Sequence, residues 1–241
     1  MLYQDAISIR SSRRTYLPSD VDYGCINKLR SLIDEYNQKA ELNMQLALNH
    51  SEAFNGLLKS YGMFNGVRNY IGLIENMNDP FNQEKLGYYG ELIVLQATDM
   101  RLGTCWVGGT FDRKSCPFIL SEHERIACVI TFGNVPNERS MKEKLIYAIV
   151  HRKAKTMEEL YMADAPLPGW FQSGLAAVQK APSAVNRQPV VFSYNNGIVY
   201  ASVKDIGING MALDLGIAKL HFELGAGGGL WDWGNGAVFH K

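Results

Sequence analysis

Two stretches of this 241-residue chain repeat one another, and the repeat limits what the chain can fold into. Each stretch reads as a helix, two strands, a long helix and a turn that contains glycine and tryptophan. Two local matches support the alignment. QKAELNMQLAL matches QKAPSAVNRQPVVF, and the long helices end in LGTCWVGG and LGAGGGLWDWG. The repeat predicts two related halves, 1–156 and 157–241, packed as one compact unit.

Hydrophobic periodicity predicts the elements of the first half. It indicates helices over the opening residues, 18–39 and 83–103, and strands over LNMQLALN, 68–76 and 125–135. The helix at 83–103 is apolar on more than one face, which is typical of a central buried helix. Gly103 is the expected C-cap of that helix, and CWVGGTF is the turn expected after it.

The second half is predicted to begin with a helix in PGWFQSGLAAVQK. Two strands follow, joined by Asn195, Asn196 and Gly197, a sequence that favours a tight hairpin. A second long helix lies within 208–233, before a stretch of glycines and tryptophans.

Composition excludes several classes of function. Lys and Arg total 24 and so do Asp and Glu, so no net positive field attracts nucleic acid or an anionic membrane. No signal peptide and no run of roughly 18 apolar residues is visible, which predicts a cytoplasmic protein without a membrane partner.

Cysteine and histidine usage gives no sign of a metal site. The four cysteines form no CxxC pair and no zinc-ligand spacing, and the five histidines form no HExxH pair. Reduced thiols in a reducing cytosol are favoured over disulfides. No metal ligand is therefore predicted.

RSSRRTY, at 10–16, carries the first group of residues that could hold a ligand. Arg10, Ser12 and Arg14 offer two guanidinium forks and a hydroxyl, which suit bidentate binding of phosphate. A basic surface turn would have the same composition, so both interpretations stay open for the segment alone.

APSAVNRQPV, at 181–190, is a loop with polar side chains between two prolines. Ser183, Asn186 and Gln188 present a hydroxyl and two amides, and amides both donate and accept hydrogen bonds. That combination suits the edge of a polar heterocycle, although an ordinary polar loop before a strand would also contain these residues.

Two further pieces are ambiguous by themselves. Gly108 and Gly109 would let the backbone approach a flat ligand closely, or they form only a turn. The cluster of Arg152, Lys153 and Lys155 is either a second phosphate-binding group or a solvated basic terminus.

The chain lacks the motifs of a protein that does chemistry with its own side chains. It has no nucleophile elbow and no carboxylate pair that could act as acid and base. It also lacks the GxGxxG and P-loop patterns of nucleotide sites. A bound cofactor is therefore expected to carry the chemistry.

Four motifs together resemble those of the FMN-dependent nitroreductase family. They are IRSSRRTY, LGTCWVGG, ITFGNV followed by RKAKTMEEL, and PSAVNRQP. The Pro-Ser loop is in the second half here, whereas in ordinary members it lies soon after the N-terminal helices and reaches the partner subunit's flavin. The chain is thus similar to a branch in which both halves of a dimer are fused into one pseudo-dimeric chain.

The resemblance implies an α+β fold, with mixed, mainly antiparallel sheets flanked by helices and two related halves in one chain. It also implies roles for particular residues. The residues implied to hold the FMN phosphate and ribityl end are Arg10, Ser11, Ser12, Arg14, Arg152, Lys153 and Lys155. Those implied to lie against the isoalloxazine are Trp106, Val107, Gly108 and Gly109. Those implied to contact the ring and ribityl chain from the other half are Pro182, Ser183, Ala184 and Asn186, with Gln188 supporting their loop.

The resemblance further implies an FMN-dependent oxidoreductase that passes hydride from NAD(P)H to a small organic acceptor such as a nitroaromatic or quinone. No protein side chain is expected to be catalytic. Arg10 and Asn186 are expected to line one pocket of a monomer that binds one flavin. The alternatives are a non-catalytic FMN-binding or flavin-storage protein, and a relative that has lost the cofactor.

Overall fold

The structure is a computed structural model that describes residues 3–55, 62–151, 154–205 and 210–241. These residues form six α-helices and nine β-strands. The helices are α1 (Tyr3–Ile9), α2 (Tyr23–Ala40), α3 (Asn82–Asp99), α4 (Met141–His151), α5 (Gly169–Val178) and α6 (Met211–Gly225). The strands are β1 (Asn43–Ala47), β2 (Asn69–Asn76), β3 (Gly103–Val107), β4 (Glu124–Gly133), β5 (Tyr161–Ala163), β6 (Val191–Asn195), β7 (Ile198–Ser202), β8 (Leu230–Trp231) and β9 (Ala237–His240).

The chain divides into two compact units, each built from separate segments. The four-stranded unit comprises Ile9–Asn82 and Ile93–Ile149. The five-stranded unit comprises Met1–Ser8, Gln83–Leu92 and Val150–Lys241. The first part of α3 therefore belongs to the five-stranded unit and its last part to the four-stranded unit. The division into halves at 156 stays a prediction.

The four-stranded unit is built on one antiparallel sheet with the strand order β1-β2-β4-β3. Its central strands β2 and β4 are nearly continuously buried, which explains their long apolar runs. Tyr70, Ile74 and Val129 from these strands pack with Phe54 and Phe111 in the core of this unit.

The five-stranded unit has the strand order β5-β6-β7-β9-β8. β5 pairs with β6 in parallel and the other pairs are antiparallel. Asn196 and Gly197 join β6 to β7 with φ values of 49° and 83°, the left-handed values that a type I′ hairpin requires. Phe222 of α6 stacks on Phe192 of β6 at 4.7 Å between ring centroids, in the core of this unit.

The two sheets share a topology. β1-β2-β4-β3 and β6-β7-β9-β8 have the same order when numbered along the chain. In each set a helix precedes the first strand, α2 or α5, and a long helix separates the second strand from the third, α3 or α6. This equivalence is what the repeat in the sequence predicts, and the α+β fold with mainly antiparallel sheets is confirmed.

Two predicted details are wrong. α2 begins at Tyr23 rather than near 18, because Asp22 caps it by accepting the backbone N–H groups of Gly24 and Cys25. Gly103 is not the cap of α3. The left-handed residue that ends this helix is Arg101, with φ 65°, and the Leu102 N–H bonds back to the Ala97 carbonyl.

Gly103 instead begins β3, so CWV is strand rather than turn. A side chain at Gly103 would not fit, because an added Cβ would lie 3.0 Å from the Arg13 Cβ and from a Val135 methyl. The glycine is thus required by close packing and not by helix capping.

Candidate functional site

The segment at 10–16 is extended and held along both of its edges. On one side Ser12 forms an isolated parallel bridge with Thr104, and the Arg13 N–H donates to the Thr104 carbonyl at 2.8 Å. On the other side the Asn65 N–H donates to the Arg14 carbonyl at 2.9 Å. The segment is therefore fixed as an extra strand beside β3, which a solvated surface turn would not be.

Glu143, in the first turn of α4, binds the same segment. Its Oε1 accepts the backbone N–H groups of Arg14 at 2.6 Å and Thr15 at 3.2 Å, and the Arg13 Nε at 3.3 Å. Burial alone would raise the pKa of Glu143. The hydrogen bonds from Arg14 and Ser140 and the charge of Arg13 outweigh burial and lower this pKa below its usual range. Glu143 is therefore a buried, ionised carboxylate.

Arg10, Ser12 and Arg14 all influence the buried thiol of Cys105 in β3. Burial raises the pKa of this thiol, while the charges of Arg14 and Arg10 and a hydrogen bond with Ser12 act to lower it. Ser12 is exposed, and Arg10 and Arg14 are half-buried. The Arg14 guanidinium lies 5.2 Å from the centre of the Phe64 ring, a cation–π distance that orients the side chain.

The glycine turn follows β3 directly in the same unit. Trp106 is half-buried, Val107 is buried, and both Gly108 and Gly109 are exposed. An added Cβ on either glycine would meet no atom within 4 Å. The packing of the described chain therefore gives no reason for two glycines here, and their backbone is accessible to a ligand.

The loop at 182–188 lies in the five-stranded unit and has an unusual backbone. Val185, Asn186 and Gln188 have φ values of 48°, 56° and 47°, in the left-handed region that non-glycine residues rarely adopt. Such residues also occur at helix ends and in hairpin turns, as at Arg101 and Asn196. Several close together within one loop are typical of strained functional segments, which persist only where surrounding contacts hold them.

Gln188 supplies the contacts that hold the loop. It is 6% exposed, and its N–H donates to the Ser183 Oγ at 2.9 Å. Its side-chain Oε1 accepts the Lys155 N–H at 2.8 Å and its Nε2 donates to the Gln179 carbonyl. Asn186 adds a bond from Nδ2 to a backbone carbonyl of α4. Gln188 thus closes the loop and joins it to the backbone at Lys155.

Asp214 in the first turn of α6 lies under the same loop. Its carboxylate accepts the Ala184 N–H at 3.1 Å and lies 3.6 Å from the Arg187 guanidinium. Asp214 is 5% exposed, and burial raises its pKa to about 6 despite these partners. Together with Pro182, Ser183 and other residues it lines a small pocket beneath the loop.

The raised pKa of Asp214 makes a pH-dependent contribution to stability. Because its folded pKa of about 6 exceeds the usual aspartate value of 3.8, the contribution is full below pH 3.8 and is lost as the pH rises through 6. Between pH 5 and 7.5, wild type should lose about 1 kcal/mol of unfolding free energy relative to Asp214→Asn. Urea unfolding of both proteins at the two pH values measures this, and an unchanged difference would contradict it.

The structure places the described site residues in two groups, one in each unit. Arg10, Ser11, Ser12 and Arg14 lie with Trp106, Val107, Gly108 and Gly109 in the four-stranded unit. Lys155 joins the five-stranded unit with Pro182, Ser183, Ala184, Asn186 and Gln188. The predicted ligands Arg152 and Lys153 lie outside the described residues.

Sequence reasoning missed Arg13, Glu143 and Asp214. Ser140 and Glu143 form a Ser-x-x-Glu capping box, and the box was a readable signal for the start of α4. The bonds of Glu143 to residues 13–15 cross about 130 positions of sequence and had no local signal.

The described residues contain no cluster of His, Cys, Asp or Glu that could hold a metal ion. In the same part of the chain, no helix has the length and apolar character needed to cross a membrane.

A protein family and a solved structure match nearly the whole length of this chain. A family model described as "Putative TM nitroreductase" matches residues 3–226. No curated protein sequence matches the chain. A crystal structure of a nitroreductase from Thermotoga maritima, also described as putative, is 21% identical, with 99% of this chain and 92% of that chain covered and a TM-score of 0.64.

Smaller solved structures cover part of the chain. A Bacteroides thetaiotaomicron protein described as an NADH dehydrogenase/NAD(P)H nitroreductase is 21% identical, with 57% of this chain and 89% of that chain covered and a TM-score of 0.45. A Bacteroides fragilis nitroreductase with bound FMN is 11% identical, with 58% of this chain and 94% of that chain covered and a TM-score of 0.42.

Proposed function

Because this chain belongs to the "Putative TM nitroreductase" family, we propose that it is an FMN-dependent oxidoreductase that uses NAD(P)H as reductant. Bound FMN would supply hydride transfer from the nicotinamide to a small organic acceptor such as a nitroaromatic or quinone. The observation that carries the proposal is the fixed backbone of the segment 10–16, from which Arg10, Ser12 and Arg14 project.

The first step of the proposal concerns the phosphate of FMN. Arg10 and Arg14 carry permanent positive charges and several donors, and Ser12 adds an exposed hydroxyl. Ser11 precedes this set on the same segment. Charge-assisted bonds to phosphate are stronger than neutral ones, and their geometry is favoured when the backbone is fixed before the ligand arrives.

The second step concerns the flavin ring. We assign Trp106, Val107, Gly108 and Gly109 to its edge or face, since the exposed glycine backbone leaves room that a Cβ would fill. Backbone N–H groups in such a turn can donate to the ring without any side chain. This assignment accounts for two glycines that internal packing does not require.

The third step concerns the Pro-Ser loop and the basic cluster. We propose that Pro182, Ser183, Ala184 and Asn186 contact the ring and ribityl chain, while Gln188 holds their loop. The left-handed backbone at Val185, Asn186 and Gln188 in this loop supports a ligand role. Arg152, Lys153 and Lys155 are proposed to assist at the phosphate. The loop sequence occurs once, so one flavin per chain is expected.

The residues of this chain would bind, orient and shield the cofactor and would not transfer protons themselves. Holding the flavin and its reaction partner in the correct relative orientation accounts for much of the rate acceleration in such sites. The backbone N–H donors of the glycine turn would also stabilise negative charge on the reduced ring.

Arg14→Ala should weaken FMN binding by about 1.5–3 kcal/mol, roughly 10- to 150-fold in Kd, if Arg14 bonds to the phosphate. Quenching of flavin fluorescence on titration measures the change. Arg30→Ala, an exposed arginine of α2, is the matched control and should leave the Kd unchanged. An Arg14→Ala protein with wild-type affinity would remove Arg14 from the site.

A further inference from the structure

Glu143 uses both of its carboxylate oxygens to join two parts of the four-stranded unit. Oε1 accepts the consecutive N–H groups of Arg14 and Thr15, and Oε2 accepts the Ser140 N–H at 2.8 Å. The Glu143 N–H donates in return to the Ser140 Oγ at 3.3 Å. The start of α4 is therefore tied to the segment that carries the proposed phosphate ligands.

From these contacts we infer that Glu143 is a positioning residue that makes the site selective for a flavin with a phosphate group. The inference rests on the proposed FMN function and adds a residue to it. Glu143 need not touch the flavin. It would act by fixing the peptide groups from which the Ser12 and Arg14 side chains project.

Alternation along the extended segment explains how one carboxylate can do this. Successive side chains of an extended chain point to opposite faces, so Ser12 and Arg14 share a face and Arg13 takes the other. Arg13 is 8% exposed, and its guanidinium bonds to Glu143 and to the carbonyls of Pro136 and Glu138. The bonds to Arg13 on one face of the segment therefore fix the positions of Ser12 and Arg14 on the opposite face.

Charge and geometry predict opposite results when Glu143 is replaced. A buried negative charge near a phosphate opposes phosphate binding, so loss of the charge alone would tighten FMN binding. Glutamine has a single acceptor oxygen, so in Glu143→Gln either the Arg14 and Thr15 N–H groups or the Ser140 N–H would face an NH2 group. The tie between the segment and α4 would then be lost, which would free the segment and weaken FMN binding. The direction of the change therefore separates positioning from a general electrostatic effect.

The experiment measures Kd for FMN and for riboflavin, which lacks the phosphate, in wild type, Glu143→Gln and Glu143→Asp. In Glu143→Gln we expect FMN to bind about 10-fold more weakly, which corresponds to the loss of one well-oriented charge-assisted bond to the phosphate. The Kd for riboflavin should change by less than about 2-fold. Glu143→Asp keeps the charge and shortens the reach, so it should also lose FMN selectivity. If Glu143→Gln folds poorly, Glu143→Asp provides the same test of selectivity.

Glu75→Gln is the matched control. Glu75 is 9% exposed and pairs with Arg125 between β2 and β4 of the same unit, so the substitution also removes a largely buried, arginine-paired carboxylate. It should cost comparable unfolding free energy and leave the ratio of the two Kd values unchanged.

Several results would overturn the inference. They are equal weakening of both flavins in Glu143→Gln, tighter FMN binding in that variant, a wild-type Kd ratio in Glu143→Asp, or the same loss of selectivity in Glu75→Gln. A wild-type protein that binds both flavins equally overturns the inference and leaves flavin binding intact. A wild-type protein that binds neither overturns the proposed function as well.

Discussion

Lys219→Met is expected to lower the free energy of unfolding by about 3–5 kcal/mol, because it removes one partner of a buried ion pair. Lys219 of α6 is 0% exposed, and its Nζ donates to Glu84 and to the carbonyls of Asp232 and Gly234. Burial lowers the pKa of Lys219, and the Glu84 charge opposes that shift. Without Lys219, the Glu84 carboxylate of α3 would keep the bond from the Gly234 N–H but lose the positive charge beside it.

Urea unfolding of the purified variants measures this effect. The double variant Lys219→Met with Glu84→Gln should recover part of the loss, since no unpaired charge is left buried. Lys144→Met removes an exposed lysine paired with Glu138 and should cost less than about 1 kcal/mol. A loss of similar size in Lys144→Met and Lys219→Met would contradict the buried pairing.

Gly216→Ala is expected to cost about 3 kcal/mol or more through overpacking, although alanine is normally the better helix former. Gly216 lies where α6 crosses the first part of α3. An added Cβ would lie against the Glu84 carbonyl oxygen and 2.8 Å from the Tyr88 nitrogen. Both atoms are backbone, so neither can move aside without shifting the helix.

Gly169→Ala is the control for this effect. Gly169 begins α5, and an added Cβ there meets no atom within 4 Å. Thermal unfolding should show a large drop in Tm for Gly216→Ala and an unchanged or higher Tm for Gly169→Ala. Equal Tm values for Gly216→Ala and wild type would show that α3 and α6 are not packed at this distance.

The sequence predicts the kinds of elements well, because these depend on local periodicity. β2, β4 and the β6–β7 hairpin lie where the apolar runs and the Asn-Gly turn place them. The boundaries are less predictable. α3 ends at a left-handed Arg101, and Gly103 is needed for packing, and both facts depend on neighbours distant in sequence.

The sequence signals the pieces of the candidate site separately, and their joint role stays a prediction. Arg10, Ser12 and Arg14 stood out by composition, and the Pro-Ser loop stood out by its amides. Their supports could not be found in the same way. Glu143 and Asp214 look like ordinary acidic residues near helix starts, and only the folded chain gives them their distant partners. The pairing of Lys219 with Glu84 was hidden for the same reason.

Anaerobic spectroscopy of the protein reconstituted with FMN tests whether this chain is a flavin-dependent oxidoreductase. We expect a visible flavin spectrum that remains with the protein through gel filtration at one FMN per chain. NADH or NADPH should bleach it, and a nitroaromatic or quinone should restore it. A bound flavin that neither nucleotide reduces would contradict the oxidoreductase and support a flavin-storage protein, and a protein that stays colourless would contradict FMN binding itself.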